Sequence, residues 1–180
     1  MKKTLIVYYS FEGNTRFISE EIQKVTGGDF LELKPVQEIE SKGFSKFIWG
    51  GKQVMSGETP ALYPLDKSVE DYDRIFIGTP VWAWSYAPAL ESFFKEVSIK
   101  NKEVALFCCS GGGPGSTIEK MEKKLAGGEN QIIGTIKFRD PLRRDPEVNK
   151  KKLQEWRVTL QELADWFVIC SYCLAKRIVL

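Results

Sequence analysis

The sequence predicts an α/β fold: one open parallel sheet with helices packed on both faces. Two observations predict it. Runs rich in apolar and β-branched residues recur at 3–9, 74–78, 103–109 and 131–138, with a shorter one at 29–34. Segments with apolar residues spaced by three and four alternate with these runs. Five alternations of strand and helix argue for parallel strands joined by right-handed crossovers. A third observation sets the scale. At 180 residues, the chain suits one domain that buries roughly 70% of its unfolded surface.

The first strand, Lys3-Thr-Leu-Ile-Val-Tyr-Tyr9, is continuously apolar or aromatic, as a central strand covered on both faces must be. A glycine-containing turn leads into a helix over about 14–26, with Phe17, Ile18, Ile22 and Val25 on one side. Gly27 and Gly28 end it. Residues 29–34 form the second strand. Phe44, Phe47, Ile48, Gly51 and Met55 suggest a helix over about 42–55. Its Gly50-Gly51 pair costs about 2 kcal/mol of helix propensity. A loop with Pro60 and Pro64 follows, so this region reads as an excursion from the regular crossover. Order resumes with a third strand at 74–78, an aromatic segment at 79–86 and a helix at 87–97. A fourth strand (103–109), a glycine-rich loop, a helix (117–125), a fifth strand (131–138) and a last helix over about 146–167 complete the domain. The expected boundaries are 1–168 for the domain and 169–180 for an apolar tail without clear periodicity.

Composition excludes several chemistries. The chain has no histidine, which removes Ser-His-Asp and Cys-His nucleophilic sites and histidine-ligated metal sites. Any chemistry must then come from another residue type or from a cofactor. A net charge of +2, with basic residues spread along the chain, does not suit a nucleic-acid surface. No stretch is long enough to span a bilayer, and residues 1–9 lack the features of a secretory signal. A cytoplasmic location is the expectation. Cys108 and Cys109 are adjacent on a strand and point to opposite faces. Cys170 and Cys173 form a C-x-x-C, for which apolar packing is the favoured reading over a redox pair or half of a zinc site. No metal site is expected.

In an open parallel sheet, ligands bind beyond the carboxyl ends of the strands. Three loops of unusual composition fall there. The first is Ser10-Phe11-Glu12-Gly13-Asn14-Thr15-Arg16, between a buried strand and a helix N-terminus. Free N–H groups and the helix dipole favour a phosphate at such a place. Taken alone, the segment also reads as an ordinary turn with a capped helix. The second is Thr79-Pro80-Val81-Trp82-Ala83-Trp84, continuing through Tyr86. Its rings offer a stacking surface for a planar ligand, or else cap the core. The third, Ser110-Gly111-Gly112-Gly113-Pro114-Gly115-Ser116, allows close backbone approach to a flat ligand, or is a flexible turn. Their occurrence together, at three strand ends, is what points to a ligand.

Across about residues 3–167 the sequence resembles the flavodoxin family. The first loop is similar to the family's phosphate loop at Ser10, Gly13, Asn14 and Thr15, and the other two to the loops that sandwich the isoalloxazine ring. The resemblance implies a three-layer α/β/α, doubly wound, five-stranded parallel sheet with strand order 2-1-3-4-5. It implies bound flavin mononucleotide (FMN), with Ser10 to Thr15 around the phosphate, Pro80 to Trp84 on one side of the ring, and Ser110 to Gly115 near its pyrimidine edge; Arg16 and Thr79 are further candidate contacts. There are departures. Glu12 stands where the family often has Thr, so a hydroxyl donor is replaced by a carboxylate, and Arg16 is the candidate compensating charge. Ala83 stands where many members have a glycine whose peptide flips on reduction. The same flip here requires φ > 0 at a non-glycine residue. Electron-carrier members are typically acidic, unlike this chain.

The expected function is electron transfer through bound FMN, to a small-molecule or protein redox partner. An electron carrier and an FMN-dependent reductase of a small planar acceptor such as a quinone, including an NAD(P)H oxidoreductase, both stay open, and so does a homodimer. The alternative is a non-catalytic domain of the same fold whose aromatic residues form a protein interface. A phosphoryl-acceptor domain is excluded, because Ile77-Gly78-Thr79-Pro80 supplies no Asp after the third strand.

Overall fold

The computed structural model describes residues 2–37, 59–144 and 147–156. The strands are β1 (Thr4–Tyr8), β2 (Asp29–Glu32), β3 (Arg74–Trp82), β4 (Ser85–Tyr86), β5 (Glu103–Ser110) and β6 (Gln131–Arg139). The helices are α1 (Asn14–Thr26), α2 (Pro88–Glu96), α3 (Thr117–Leu125) and α4 (147–156). The main sheet runs β2-β1-β3-β5-β6, and each neighbouring pair is parallel. This is the predicted 2-1-3-4-5 order. β4 lies off that path and pairs antiparallel with the end of β3.

Side-chain alternation along the central strands divides the core in two. Leu5, Val7, Ile75, Ile77, Val104 and Leu106 face one side, where they pack with Leu90 and Phe93 of α2 and Met121 of α3. Ile6, Phe76, Ala105 and Phe107 face the other, with Ile18 and Ile22 of α1 and Leu153 of α4. Both faces are therefore covered, which is why these strands read as continuous apolar runs. Trp156 of α4 meets Phe76 edge-on, with ring centroids 5.8 Å apart. At Gly78 a Cβ would lie 2.0 Å from Phe107 Cζ, so the glycine makes room for a ring on the neighbouring strand.

Local chemistry accounts for the element ends. α1 stops at Gly27, which adopts φ 66° and donates its N–H to the Gln23 carbonyl. α2 begins with Pro88 in its first turn, where a missing N–H has no intrahelical partner to lose.

Two expectations need correction. β3 runs on to Trp82, four residues past the predicted end. The reason is β4: the chain folds back after a two-residue turn, so Val81 and Trp82 pair with Tyr86 and Ser85. Residues 79–86 are thus a strand end and a hairpin rather than a plain loop. The predicted helix over 42–55, the tail from 169 and Cys170/Cys173 lie outside the described residues, as does the last helix beyond 156. Of the excursion over 35–70, residues 35–37 and 59–70 are described. Pro35 bridges to Leu62, and a 3₁₀ turn at Val69–Asp71 leads into β3.

Candidate functional site

A cavity of about 310 Å³ opens at the carboxyl ends of β1, β3, β5 and β6. Its lining is Phe11, Glu12, Asn14 and Thr15; Pro80, Val81, Trp82 and Ala83; Cys109, Ser110 and Gly111; and Asp140 and Arg143. All three loops singled out in the sequence thus contribute to one cavity.

The loop after β1 is built around Gly13, which precedes α1 at φ 87°. Arg16 N–H donates to Ser10 Oγ at 3.1 Å, and Phe17 N–H to the Gly13 carbonyl at 2.8 Å. Ser10 Oγ is therefore spent on a first-turn amide of α1, and Ser10 does not line the cavity. The amides of Asn14 and Thr15 have no acceptor among the described residues. Thr15 is fully buried, and its Oγ1 has no hydrogen-bond partner there. The neighbouring Cys109 thiol is a weak donor and acceptor, and burial pushes that thiol up from its ordinary range. No acidic residue sits in the first turn of α1. An orphaned hydroxyl beside open amides at the positive end of a 13-residue helix is suited to an anion.

Arg16 is engaged elsewhere. Its guanidinium is ion-paired with Glu32 and neighbours Tyr8. It lines a separate groove with Ser10, Gly13 and Tyr63 on the β2 side. Burial first, then the Glu32 charge, raise the Tyr8 hydroxyl above its usual range.

The segment after β3 divides by role. Trp82 lines the cavity and is held edge-on by Tyr9 and Phe11, with centroid distances of 5.8 and 5.5 Å. Thr79 is buried and acts as a brace: its Oγ1 accepts the Ala87 N–H at 3.0 Å and donates to the Pro80 carbonyl at 2.9 Å. Ala83 and Trp84 form the hairpin turn at φ 45° and 57°, the pattern of a two-residue type I′ turn. The left-handed conformation that the sequence makes unfavourable at Ala83 is therefore already adopted. Trp84 is 72% exposed and is not part of the cavity lining.

In the third loop Ser110 and Gly111 line the cavity, whereas Gly112, Gly113 and Gly115 do not. Gly115 packs instead against the backbone of Trp84, and Ser116 Oγ donates to the Trp84 carbonyl at 3.3 Å.

Sequence reasoning missed Cys109, Asp140 and Arg143. Asp140 and Arg143 belong to a fourth loop, after β6. Asp140 N–H donates to the Ser110 carbonyl at 3.0 Å, and its carboxylate faces Gly111. Leu142 N–H donates to Asn14 Oδ1 at 3.1 Å, and its side chain lies 3.3 Å from where a Cβ on Gly13 would stand. The rule that picked the other loops applies equally here, since Arg139 to Arg144 also follow the carboxyl end of a parallel strand. Cys109 carried no signal beyond its place at the end of β5.

A family model described as flavodoxin matches residues 3–167. The chain belongs to the flavodoxin family. Solved structures share this flavodoxin architecture. A provisionally named flavoprotein from Bacteroides eggerthii is 23% identical with a TM-score of 0.74, covering 89% of this chain and 99% of that one. A flavoprotein from Lactobacillus acidophilus, in complex with FMN, is 24% identical with a TM-score of 0.67, covering 87% and 99%. Two-electron-reduced flavodoxin from Megasphaera elsdenii is 23% identical with a TM-score of 0.53, covering 82% and 93%. At these identities the likeness is one of fold. No curated protein matches the sequence. Among the described residues no helix is long and apolar enough to cross a membrane.

Proposed function

We propose that this flavodoxin-family chain binds FMN in the cavity at the sheet edge and passes electrons through it to a small-molecule or protein partner. The observation that carries the reading is Thr15 Oγ1, buried beside the open amides of Asn14 and Thr15 and, among the described residues, with no partner better than the weakly bonding Cys109 thiol. A buried hydroxyl left in this state is destabilising, and a phosphate oxygen satisfies it. When bound, FMN supplies reversible electron and hydride transfer.

The chain's own residues hold and shield the group. Asn14 and Thr15 bind the phosphate. Trp82, fixed by Tyr9 and Phe11, gives the ring a flat apolar wall, and Ser110 and Gly111 let backbone approach its opposite side. Glu12 lines the cavity but is exposed, so solvent screens its carboxylate from the phosphate. The net charge of +2 lacks the acidic field that steers a carrier to basic partners. This favours a reductase of a small planar acceptor over a dedicated electron carrier.

The test is direct. Purified apoprotein titrated with FMN is expected to bind one equivalent, with flavin fluorescence quenched by Trp82. An anaerobic reductive titration of the loaded protein then separates one-electron from two-electron behaviour, and NADH or NADPH in the same cuvette tests for a pyridine-nucleotide donor. A colourless protein that takes up no FMN overturns the reading.

A further inference from the structure

We infer that Arg143, on the loop after β6, is the counter-charge for the FMN phosphate; this rests on the FMN reading above. Among the described residues, the cavity lining carries two carboxylates, Glu12 and Asp140, and one cation, Arg143. The arginine inside the phosphate loop, Arg16, is committed to Glu32 and lines a different groove. A phosphate monoester brings about two negative charges near neutral pH. Neutral donors and a helix dipole meet part of that demand, and among the described residues Arg143 is the charged group placed to meet the rest.

The order of residues along the loop gives its position. Asp140 lies against Gly111, at the glycine-loop end of the cavity. Two residues later, Leu142 is pinned to the phosphate loop, through its N–H to Asn14 Oδ1 and its side chain over Gly13. Arg143 follows Leu142 directly. Its backbone is fixed by an N–H bond of 2.9 Å to the Asp140 carbonyl. Arg143 lines the same cavity as Asn14 and the orphaned Thr15 hydroxyl, one residue along from the Leu142 contact to the phosphate loop. The flanking basic residues are engaged: Arg144 pairs with Asp140, and Arg139 Nε donates to the Gly111 carbonyl at 3.3 Å. Arg143 has no ion-pair partner among the described residues. A guanidinium suits the task, because its planar fork matches phosphate oxygens two at a time.

The experiment compares FMN with riboflavin, which lacks the phosphate, on full-length apoprotein carrying Arg143→Gln and Arg143→Lys. A charge-assisted bond lost from a phosphate corresponds to a roughly 10- to 100-fold drop in affinity. Arg143→Gln is expected to weaken FMN binding by that factor while riboflavin binding changes less than about twofold, and Arg143→Lys to fall between. Raising salt is expected to narrow the gap between wild type and Arg143→Gln for FMN. Equal FMN affinity in wild type and Arg143→Gln overturns the inference, and so do equal losses for the two flavins, which mark a merely structural role. A wild-type apoprotein that binds neither flavin overturns the FMN reading itself.

Discussion

Gly115 and Trp84 occupy the same space up to the limit of contact. A Cβ placed on Gly115 meets Trp84 Cβ at 2.5 Å and Trp84 Cα at 2.8 Å. The glycine loop and the β3–β4 turn are therefore packed backbone against backbone, and the turn that presents Ala83 and Trp82 to the cavity is held from behind. Gly115→Ala also forces a side chain into φ 52°. The variant is expected to lose about 2 kcal/mol or more in chemical denaturation. The same turn holds Ala83 at φ 45°, and left-handed backbone costs a non-glycine residue about 1–2 kcal/mol. Ala83→Gly is expected to gain about 0.5–1 kcal/mol, after the added chain entropy of glycine is offset.

Thr15 separates binding from stability. Thr15→Val keeps the shape and removes the orphaned oxygen. The apoprotein is expected to be unchanged or up to about 1 kcal/mol more stable, because an unsatisfied buried hydroxyl is unfavourable. FMN affinity is expected to fall about tenfold. Calorimetry of the apoprotein and an FMN titration read the two effects; a variant that is destabilised yet binds FMN normally contradicts the assignment.

Gly78 tests the packing beneath the site. A Cβ there lies 2.0 to 2.6 Å from three atoms of the Phe107 ring, which is fully buried. Gly78→Ala is expected to destabilise by about 3 kcal/mol, as overpacked cores do. The double change Gly78→Ala with Phe107→Leu is expected to recover part of the loss, measured by denaturant midpoint.

Glu103 sets a pH dependence at the opposite end of the sheet. Burial opposes its charge, but hydrogen bonds from Lys2 and Arg74, the latter at 2.8–2.9 Å, outweigh it and hold the carboxyl below its ordinary value. A group whose pKa is lowered by folding contributes stability above its unfolded pKa. That contribution is lost as pH falls below about 4.5 and through the folded value. Glu103→Gln is expected to lose about 1–2 kcal/mol at neutral pH and to show a shallower loss of stability on acidification. Denaturation at pH 3, 4 and 7 reads the difference.

The sheet was legible because both of its faces are covered. Burial of Leu5 and Ile6 on opposite sides leaves no polar alternation to confuse with a helix. The bounds of α1 and α3 were legible as well, since Gly27 and the periodic apolar residues mark them locally. The β3–β4 hairpin was not, because Ala83 and Trp84 are poor residues for a left-handed turn. Tertiary packing against Gly115 overrides their preference. At the site, Asn14, Thr15, Trp82 and Gly111 reach the cavity from loops that composition made conspicuous. Thr79 and Arg16 have the right chemistry but are spent on Ala87 and Glu32, a choice of partners that no single sequence displays. Asp140 and Arg143 sit in a loop without glycine or aromatic residues, so nothing in its composition distinguished it from a connector.

The bond from Leu142 N–H to Asn14 Oδ1 joins positions 128 residues apart. It also carries a consequence for how the protein is made. A chain emerging from the ribosome forms its N-terminal parts first, so β1 and α1 can pair with β3 while the β6 loop is still unsynthesised. The phosphate loop then lacks its Leu142 cover, and the cavity lacks Asp140 and Arg143. Completion of the cavity is in this way tied to completion of the sheet.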